Sequence, residues 1–339
     1  NVTWQVGRTG KVTPIAEIEP VELAGATVKR ATLNNYGDIL RKQIQINARV
    51  FVRRSNEVIP EILGLAELLP DSKKIEKPSV CPCCKTELVE KGALLFCPNR
   101  KGCKEQVVDR LTHFSSRDAM NIEGLSDQTC LQLYNTLGIY EPSELYSLTK
   151  ENLLKLDKFK EKKAENILKS LEKSKNVTLN NFIYAIGIAN VGTKTAKDLS
   201  KYFGSLENLR KASIDELSSI RDIGEIVANS IIEFFKDDFN NKMIDDLINV
   251  GINIEESKKI QGGVFEGKTF VLTGTLEKLT RLEATDIIEQ NGGNVSSSVS
   301  KNTSFVLAGE NAGSKLEKAK KLGILIISEK EFDEMVKKI

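Results

Sequence analysis

A spaced repeat in the middle of the chain limits its fold more than any other feature. The segments 158–164, 190–196 and 222–228 align so that each ends in alanine, and successive alanines are 32 residues apart. A fainter copy at 124–130, ending in cysteine, lies 34 residues before the first of them. Repeats of this length are typical of stacked helix pairs. We therefore predict four helix–turn–helix units in an all-α domain at 108–254.

The turns of these units are predicted to approach phosphate groups. Gly192 and Gly224 follow an apolar residue at the turn, where glycine lets the backbone come close to a phosphate and the next helix offers free N–H groups. Lys194 adds a positive charge. The second copy has lysines where glycines are expected, and these could contact phosphate directly: Lys158, Lys160, Lys162 and Lys163. The alternative is four packed helix pairs that serve only as a scaffold.

Five of the six cysteines lie in a short segment, 80–107, that is too small to fold without help. The spacing Cys81-x2-Cys84 followed by Cys97-x5-Cys103 provides two close pairs of thiolates, which a tetrahedral zinc site requires. Four thiolates leave no position for a catalytic water, so we predict one structural Zn2+ per chain. Cys83 is a surplus thiol, and the two-residue spacing favours Cys84 over it. Disulfides are disfavoured because the sequence shows no secretory leader.

Residues 1–68 show short alternating segments between glycine turns, which predicts a small β-barrel. The stretch Arg41–Arg54 carries five positive charges and no acidic residue. A basic strand face of this kind can hold a nucleic-acid backbone, so Arg53 and Arg54 are candidate phosphate contacts. The alternative is a solvated edge strand protected by its charges. Arg8, in the glycine-flanked string GRTGK, is a further candidate.

Composition divides the remainder of the chain. Residues 69–79 and 255–263 are polar and charged, and we predict that both are linkers. Residues 264–339 alternate apolar strands with helices, which indicates a small α/β domain. There a hydroxyl, a backbone N–H and an ammonium could converge on a phosphate, or could simply be a strand end, a helix cap and a solvated lysine: Thr273-Gly274, Gly292-Gly293 and Lys315. The predicted class is multidomain α+β.

Charge and residue usage exclude several kinds of function. Lys and Arg total 49 against 47 Asp and Glu, a formal net charge of +2, so any nucleic-acid contact has to come from local patches. The single histidine, His113, lies between Thr112 and Phe114, which suits a packed or capping residue rather than a base. No catalytic grouping and no nucleotide phosphate loop stands out. No apolar run approaches the ~18 residues that span a bilayer, so no membrane partner is expected.

The order of the segments resembles that of the bacterial NAD-dependent DNA ligases. The resemblance is carried by WQVGRTGKVTPIAEIEPVELAGATVKRATLNN at 4–35, RRSNEVIPEI at 53–62 and LTHFSSRDAMNIEGL at 111–125, with the cysteine cluster and the four hairpins. It covers essentially the whole chain. It implies an OB-fold, a four-cysteine zinc finger, a helix-hairpin-helix domain and a BRCT domain. It also implies sealing of 5′-phosphate/3′-hydroxyl nicks in duplex DNA during replication and repair, with NAD and Mg2+ as cofactors of the complete enzyme.

Residue roles follow from this resemblance. Lys11, which ends the VGRTGK string, is implied to help bind the NAD nucleotide, and the four cysteines to bind zinc. The implied partner is nicked double-stranded DNA, and the residues that the sequence pattern offers for contacts without sequence preference are Arg8, Arg53, Arg54, Gly192, Lys194 and Gly224. We expect a monomer in the bacterial cytoplasm, associated with the nucleoid. Phe332 stands where BRCT domains commonly have tryptophan, which weakens the case for phosphopeptide binding there.

The chain departs from the family in one important respect. The nucleophilic lysine of these ligases lies in a Lys-X-Asp-Gly motif within an amino-terminal adenylation domain, and no such string occurs here. We therefore expect the carboxy-terminal half of a ligase, able to bind nicked duplex but unable to react with NAD or seal alone. One alternative is a non-enzymatic helix-hairpin-helix/BRCT scaffold, which would have no reason to carry the 4–35 string with Lys11. Another is an interaction protein with no DNA role.

Overall fold

The computed structural model describes residues 1–339 except 24, 56–58, 221, 257–262, 266, 297, 301–302, 311 and 338–339, and gives the backbone alone at 54, 55, 59, 289, 294 and 337. The chain divides into two compact units, Asn1–Ser257 and Lys258–Ile339. Among the residues described, no helix has the length and apolar character needed to cross a membrane.

The first unit begins with the predicted barrel. Its core contains alternate apolar residues such as Ala16, Ala31 and Ile62, which point inward because successive side chains on a strand face opposite ways. The elements are β1 Val2–Val6, β2 Lys11–Leu23, β3 Ala26–Thr32, α1 Tyr36–Arg41, β4 Gln45–Ile46, β5 Arg49–Ser55, β6 Ile59–Glu67 and β7 Lys73–Lys74. β2 pairs antiparallel with β1 and β3, β3 meets β6 in parallel, and β5 pairs antiparallel with β6.

The predicted linker at 69–79 needs correction. β7 pairs antiparallel with β4, and the Ile75 side chain next to it is buried in the barrel core. Polar composition suggested a linker, but one strand pair and one buried isoleucine make this stretch part of the barrel. The second predicted linker, 255–263, begins inside a strand at Glu255; residues 257–262 lie outside the described part of the chain.

The cysteine segment continues the sheet of the barrel. Its hairpin, β8 Val89–Lys91 and β9 Leu94–Phe96, pairs with β2, so that Lys11 lies opposite Phe96. The Cys97 amide donates to the Gly10 carbonyl oxygen over 2.8 Å. A side chain at Gly10 would collide with the Cys97 carbonyl, and Gly10 also has φ +81°. The barrel and the cysteine segment are therefore joined by continuous backbone hydrogen bonding.

The helical part of the first unit shares one core that runs from Val107 to Ile252. A π-helix at Leu133–Leu137 and a 3-10 helix at Pro142–Ser147 join its earlier helices, and β10 Asn176–Thr178 pairs in parallel with β11 Asn253–Glu255. The helices are α2 Lys104–Ser115, α3 Asp127–Gln132, α4 Lys150–Leu153, α5 Glu161–Ser174, α6 Leu179–Ala185, α7 Thr193–Phe203, α8 Leu206–Arg210, α9 Ile214–Ser219, α10 Glu225–Lys236 and α11 Asp238–Asn249.

The second unit is a parallel four-stranded sheet with helices. The strands lie in the order β13 (Asn294–Ser296), β12 (Thr269–Thr273), β14 (Phe305–Ala308) and β15 (Leu325–Ile327). Phe332 on the last helix is fully buried and stacks on Phe265 at a centroid distance of 5.7 Å. It is therefore part of the hydrophobic core of this unit. The Glu329 carboxylate accepts backbone N–H groups from residues 277–279. The elements are β12 Thr269–Thr273, α12 Arg281–Gln290, β13 Asn294–Ser296, β14 Phe305–Ala308, α13 Ser314–Lys321, β15 Leu325–Ile327 and α14 Glu329–Lys337.

Candidate nucleic-acid interface and cysteine cluster

The four turns of the repeat share one backbone geometry. The residue that opens each copy has a left-handed conformation, with φ of 92° at Gly124, 60° at Lys158, 63° at Asn190 and 66° at Asp222. The next residue is buried in every copy: Leu125, Phe159, Val191 and Ile223. The spaced alanines and Cys130 are at most 1% exposed. Their small side chains allow the helices of each hairpin to pack closely, which explains their spacing.

The helix after each turn begins differently in the four copies. In the first, the Ser126 hydroxyl accepts the Thr129 N–H and caps α3. The N-cap residues of α5, α7 and α10 are Lys160, Gly192 and Gly224, and none of these provides a side-chain cap among the described residues. The first N–H groups of a helix have no acceptor within it. In these three copies, the side chain of the N-cap residue accepts none of these N–H groups.

Gly192 and Gly224 are exposed and have an open approach. Their φ values, −91° and −85°, are accessible to any residue. A Cβ added at either position would have no described heavy atom within 4 Å. Neither the backbone conformation nor internal packing therefore requires glycine here. What glycine provides is uncovered backbone facing outward, which suits close contact with a phosphate.

Turns three and four lie side by side. The Lys194 ammonium on α7 is 2.5 Å from a carboxylate oxygen of Asp222 in turn four. The Asn190 amide in turn three donates to the Ser230 hydroxyl on α10 over 2.9 Å. The two glycine N-caps therefore belong to one pair of neighbouring hairpins. The Lys194 ammonium group beside them is paired with the Asp222 carboxylate.

Turns one and two form a second pair. The Glu123 N–H next to turn one donates to the Ser170 hydroxyl on α5 over 2.7 Å. The Asp157 N–H in turn two donates to the Gln132 side chain at the end of α3, also over 2.7 Å. A side chain at Gly124 would collide with Ile167 on α5. This glycine therefore serves the packing of the pair.

Arg8, a candidate phosphate contact, bonds within the protein in this structure. It lies in the turn between β1 and β2, and its guanidinium donates to the Gly187 carbonyl oxygen over 2.6 Å. Burial lowers its pKa. Gly187, just after α6, has φ +73°, and any side chain there would collide with the Arg8 guanidinium. The contact joins the barrel to the helical part of the unit, and sequence reasoning missed Gly187.

His113 lies in the same junction. Its Nε2 atom is 2.7 Å from the Tyr184 carbonyl oxygen, and its ring packs edge-on against the Tyr184 ring at 4.7 Å. Burial, together with the nearby Arg8 charge, lowers the pKa of His113. These contacts are those of a packed residue, as the sequence indicated, and not of a base that faces a substrate.

The remaining barrel candidates lie on exposed strands. Arg53 on β5 forms an ion pair with Glu61 on β6 at 2.5 Å, and Arg49 pairs with Glu67 at 3.0 Å. Opposite charges across the strands thus neutralise much of the predicted basic face. The side chain of Arg54 lies outside the described residues. Lys11 begins β2 and is half-buried beside the cysteine segment.

The four cysteines favoured by their spacing lie together. The Sγ atoms of Cys81, Cys84, Cys97 and Cys103 all lie within 4.8 Å of one another, with Cys81–Cys103 at 3.9 Å and Cys84–Cys97 at 3.5 Å. Four sulfurs bound tetrahedrally at about 2.3 Å from Zn2+ would be about 3.8 Å apart. The donor set and its spacing therefore fit a metal ion of this kind. Cys83 is outside this group.

Electrostatics also favour a cation in this cluster. Burial raises the pKa of the Cys97 thiol to about 12 and that of Cys103 further. Burial acts in the same direction at Cys84, but hydrogen bonds with Thr86 outweigh it and lower its pKa to about 6. Four thiolates in this space repel one another unless a positive ion lies between them. The cluster can therefore hold a metal.

In the second unit, several of the residues considered for phosphate binding have a structural role in the fold. Thr273 is buried at the end of β12. Gly274 has φ +77°, and a side chain there would collide with the carbonyl oxygens of Gly309 and Glu310. Gly293 is packed against Phe265 and Ile288. Lys315 is half-buried in the first turn of α13.

The fold is that of a multidomain protein with paired helical hairpins, and family models match its parts in order. They are the NAD-dependent DNA ligase OB-fold domain at 1–73, a SAM-like helix-hairpin-helix tandem at 116–173, a helix-hairpin-helix motif at 181–244 and the BRCA1 C Terminus (BRCT) domain at 261–336. The two helix-hairpin-helix matches cover the two pairs of turns found in the structure.

Similar curated proteins are named DNA ligase. A DNA ligase of Clostridium perfringens strain SM101 is 54% identical over 338 residues, which is 99% of this chain and 51% of that protein. A DNA ligase of Clostridium tetani is 54% identical over 341 residues, and one of Alkaliphilus oremlandii is 50% identical over 345. The chain spans about half the length of the curated relatives it matches. The matched models and relatives support the carboxy-terminal portion of an NAD-dependent DNA ligase.

Proposed function

We propose that this chain grips nicked duplex DNA for a ligase that uses NAD to seal the nick. The carrying observation is the pair of exposed, uncapped glycine N-caps, Gly192 and Gly224, for which the described residues give no internal reason to be glycine. Backbone N–H groups at these positions bind phosphate oxygens without reading base sequence. A sealing enzyme needs this property because nicks occur in every sequence.

The cysteine cluster supports a structural role for Zn2+ in this grip. Cys81, Cys84, Cys97 and Cys103 would hold one ion, and four thiolates leave no open position for catalysis. The bound metal would stiffen the segment that continues the barrel sheet through the pairing of Lys11 with Phe96. The barrel and the helical part would then meet the duplex in a fixed relation.

NAD and Mg2+ belong to the proposal for the longer protein. Lys11 is the residue of this chain that would bind the NAD nucleotide, because an ammonium near its phosphates stabilises their negative charge. No Lys-X-Asp-Gly string occurs in the sequence, so this stretch alone is proposed not to react with NAD. We further propose a monomer that is associated with the nucleoid in the bacterial cytoplasm.

The barrel arginines are proposed to add phosphate contacts at a cost. Arg8 would have to leave the Gly187 carbonyl, and Arg53 would have to exchange Glu61 for a phosphate. Exposed ion pairs such as the latter are worth only about 0–1 kcal/mol, so that exchange is easily driven by a phosphate contact. The buried Arg8 contact is harder to replace.

Binding and sealing should be tested separately. The chain should bind a nicked duplex, with affinity falling as salt rises because bound cations are released from the DNA. Labelled NAD should leave no adduct on it. A longer protein that includes the upstream coding sequence should seal nicks with NAD and not with ATP. Duplex binding without sealing by the longer protein would favour the scaffold, whereas no duplex binding would refute the DNA role.

A further inference from the structure

Turn two has the same backbone geometry as turns three and four but a different surface. Its N-cap is Lys160, where turns three and four have Gly192 and Gly224. A long side chain at this position covers the outward backbone that glycine leaves open. Close approach of a phosphate to the amides of α5 is therefore hindered, although α5 has no side-chain cap among the residues described.

Lysines surround this N-cap. Five exposed lysines occur between 155 and 163, with only Asp157 and Glu161 as acidic residues in the same stretch: Lys155, Lys158, Lys160, Lys162 and Lys163. The left-handed conformation of Lys158, φ 60°, holds it at the tip of the turn. The Lys163 ammonium lies 3.8 Å from the centroid of the Phe159 ring, which fixes it beside the turn.

The charges of these lysines are not balanced by carboxylates in the described parts of the chain. Among those residues, no ion pair involves any of the five, and Glu161 instead pairs with Lys150 at 3.5 Å. Lys194, the lysine of turn three, is by contrast paired with Asp222. Turn two therefore concentrates positive charge, whereas turn three neutralises its own.

We propose that turn two binds the phosphates of the duplex through these lysine ammonium groups, and not through backbone amides as turns three and four do. The inference rests on the proposed function, since it assumes the same duplex partner. It assigns a different kind of phosphate contact to each of the two pairs of turns. Turn one is capped internally by Ser126, so the first pair depends on the charges of turn two, while the second pair depends on hydrogen bonds from exposed backbone.

Salt dependence distinguishes the two modes. Each phosphate neutralised by a lysine adds about 0.9 to the steepness with which log affinity falls with log salt. A backbone amide carries no net charge and releases no counterion. Loss of lysine contacts should therefore flatten the salt dependence, whereas loss of amide contacts should lower the affinity at every salt concentration by a similar factor.

The test compares two double variants of the full chain. Lys160→Gln with Lys162→Gln removes two charges at turn two, and Lys169→Gln with Lys173→Gln removes two exposed charges farther along α5. Glutamine keeps the helix propensity of lysine, so both variants should fold. Affinity for a nicked duplex is measured by fluorescence anisotropy from roughly 50 to 300 mM salt, the range in which such binding changes most.

We expect the salt slope to decrease by about 1–2 in the turn-two variant and by less than about 0.5 in the control. Equal slopes in both variants and the parent chain would overturn the inference while leaving the DNA role intact. A parent chain that binds no duplex would instead refute the proposed function. Circular dichroism melting of each variant separates loss of binding from loss of fold.

Discussion

Replacing the two glycine N-caps tests how the hairpins hold DNA. The perturbation is Gly192→Ala with Gly224→Ala. Both positions have extended backbone conformations and room for a Cβ, so the substitution should not strain the fold. Alanine is a poorer N-cap than glycine by roughly 0.5–1 kcal/mol, but it also restricts the unfolded chain, which offsets a similar amount. Folding stability should therefore change by less than about 1 kcal/mol.

The effect on binding should be larger. A hydrogen bond between a backbone amide and a charged phosphate is worth about 1.5–3 kcal/mol. Loss of one such contact per turn corresponds to a weakening of about 10- to 150-fold per site. Anisotropy titration with a nicked duplex at fixed salt measures this loss, and the salt slope should stay at the parent value. Non-additivity between the two sites is expected because their turns are in contact.

The second unit offers a matched control. Gly313 is also an uncapped N-cap, at α13, with φ −91° and no described atom within 4 Å of an added Cβ. Gly313→Ala makes the same chemical change outside the hairpins and should leave duplex affinity unaltered. If the hairpin double variant bound as tightly as the parent, the hairpin amides would not contact phosphate and these turns would serve only as scaffold.

Three further predictions concern the first unit. Gly187→Ala should lower the free energy of unfolding in urea by about 1–2 kcal/mol through backbone strain and by about 1.5–3 kcal/mol more through the displaced Arg8 contact. Arg8→Ala removes only that contact, so it should lower the free energy of unfolding by less. Cys97→Ser should lose the zinc found by elemental analysis, whereas Cys83→Ser should keep it; zinc retained in the first would refute the ligand choice. His113 has a lowered pKa in the folded chain, so the free energy of unfolding should fall as the pH drops below about 6.5. His113→Gln should reduce this pH dependence, and the same pH dependence in the variant and the parent chain would contradict the role of His113.

Sequence reasoning succeeded where the determining interactions are local. Each repeat turn is built from a few consecutive residues, and the closing hydrogen bond joins the N–H of Ala196 to the carbonyl of Gly192, four positions earlier. In each copy, a residue in the left-handed conformation is followed directly by a buried apolar residue and, five positions later, by a small buried residue. Such a motif leaves a periodic trace, so three turns could be found from the alanine spacing, and the fainter first copy from its similar sequence 34 residues earlier. The cysteine cluster was found for the same reason.

Sequence reasoning failed where partners are distant along the chain. The sequence did not reveal the partner of Arg8, because the Gly187 carbonyl to which it donates is 179 residues away. Ile75 sits in a polar stretch that reads as a linker, and only the pairing of β4 with β7 reveals its place in the core. The predicted basic face of β5 is neutralised by Glu61 and Glu67 on the next strand. Tertiary packing decides such contacts, and a single sequence does not encode them in any local pattern.

Hydrogen exchange with and without a nicked duplex tests the central claim most directly. The amides at 193 and 225–226, in the first turns of α7 and α10, lie next to glycine N-caps that provide no side-chain cap, and they should exchange quickly in the free chain. Phosphate binding at these groups should slow their exchange when the duplex is added, while the first turn of α13 should not change. Duplex that binds without slowing exchange at either hairpin would contradict the account.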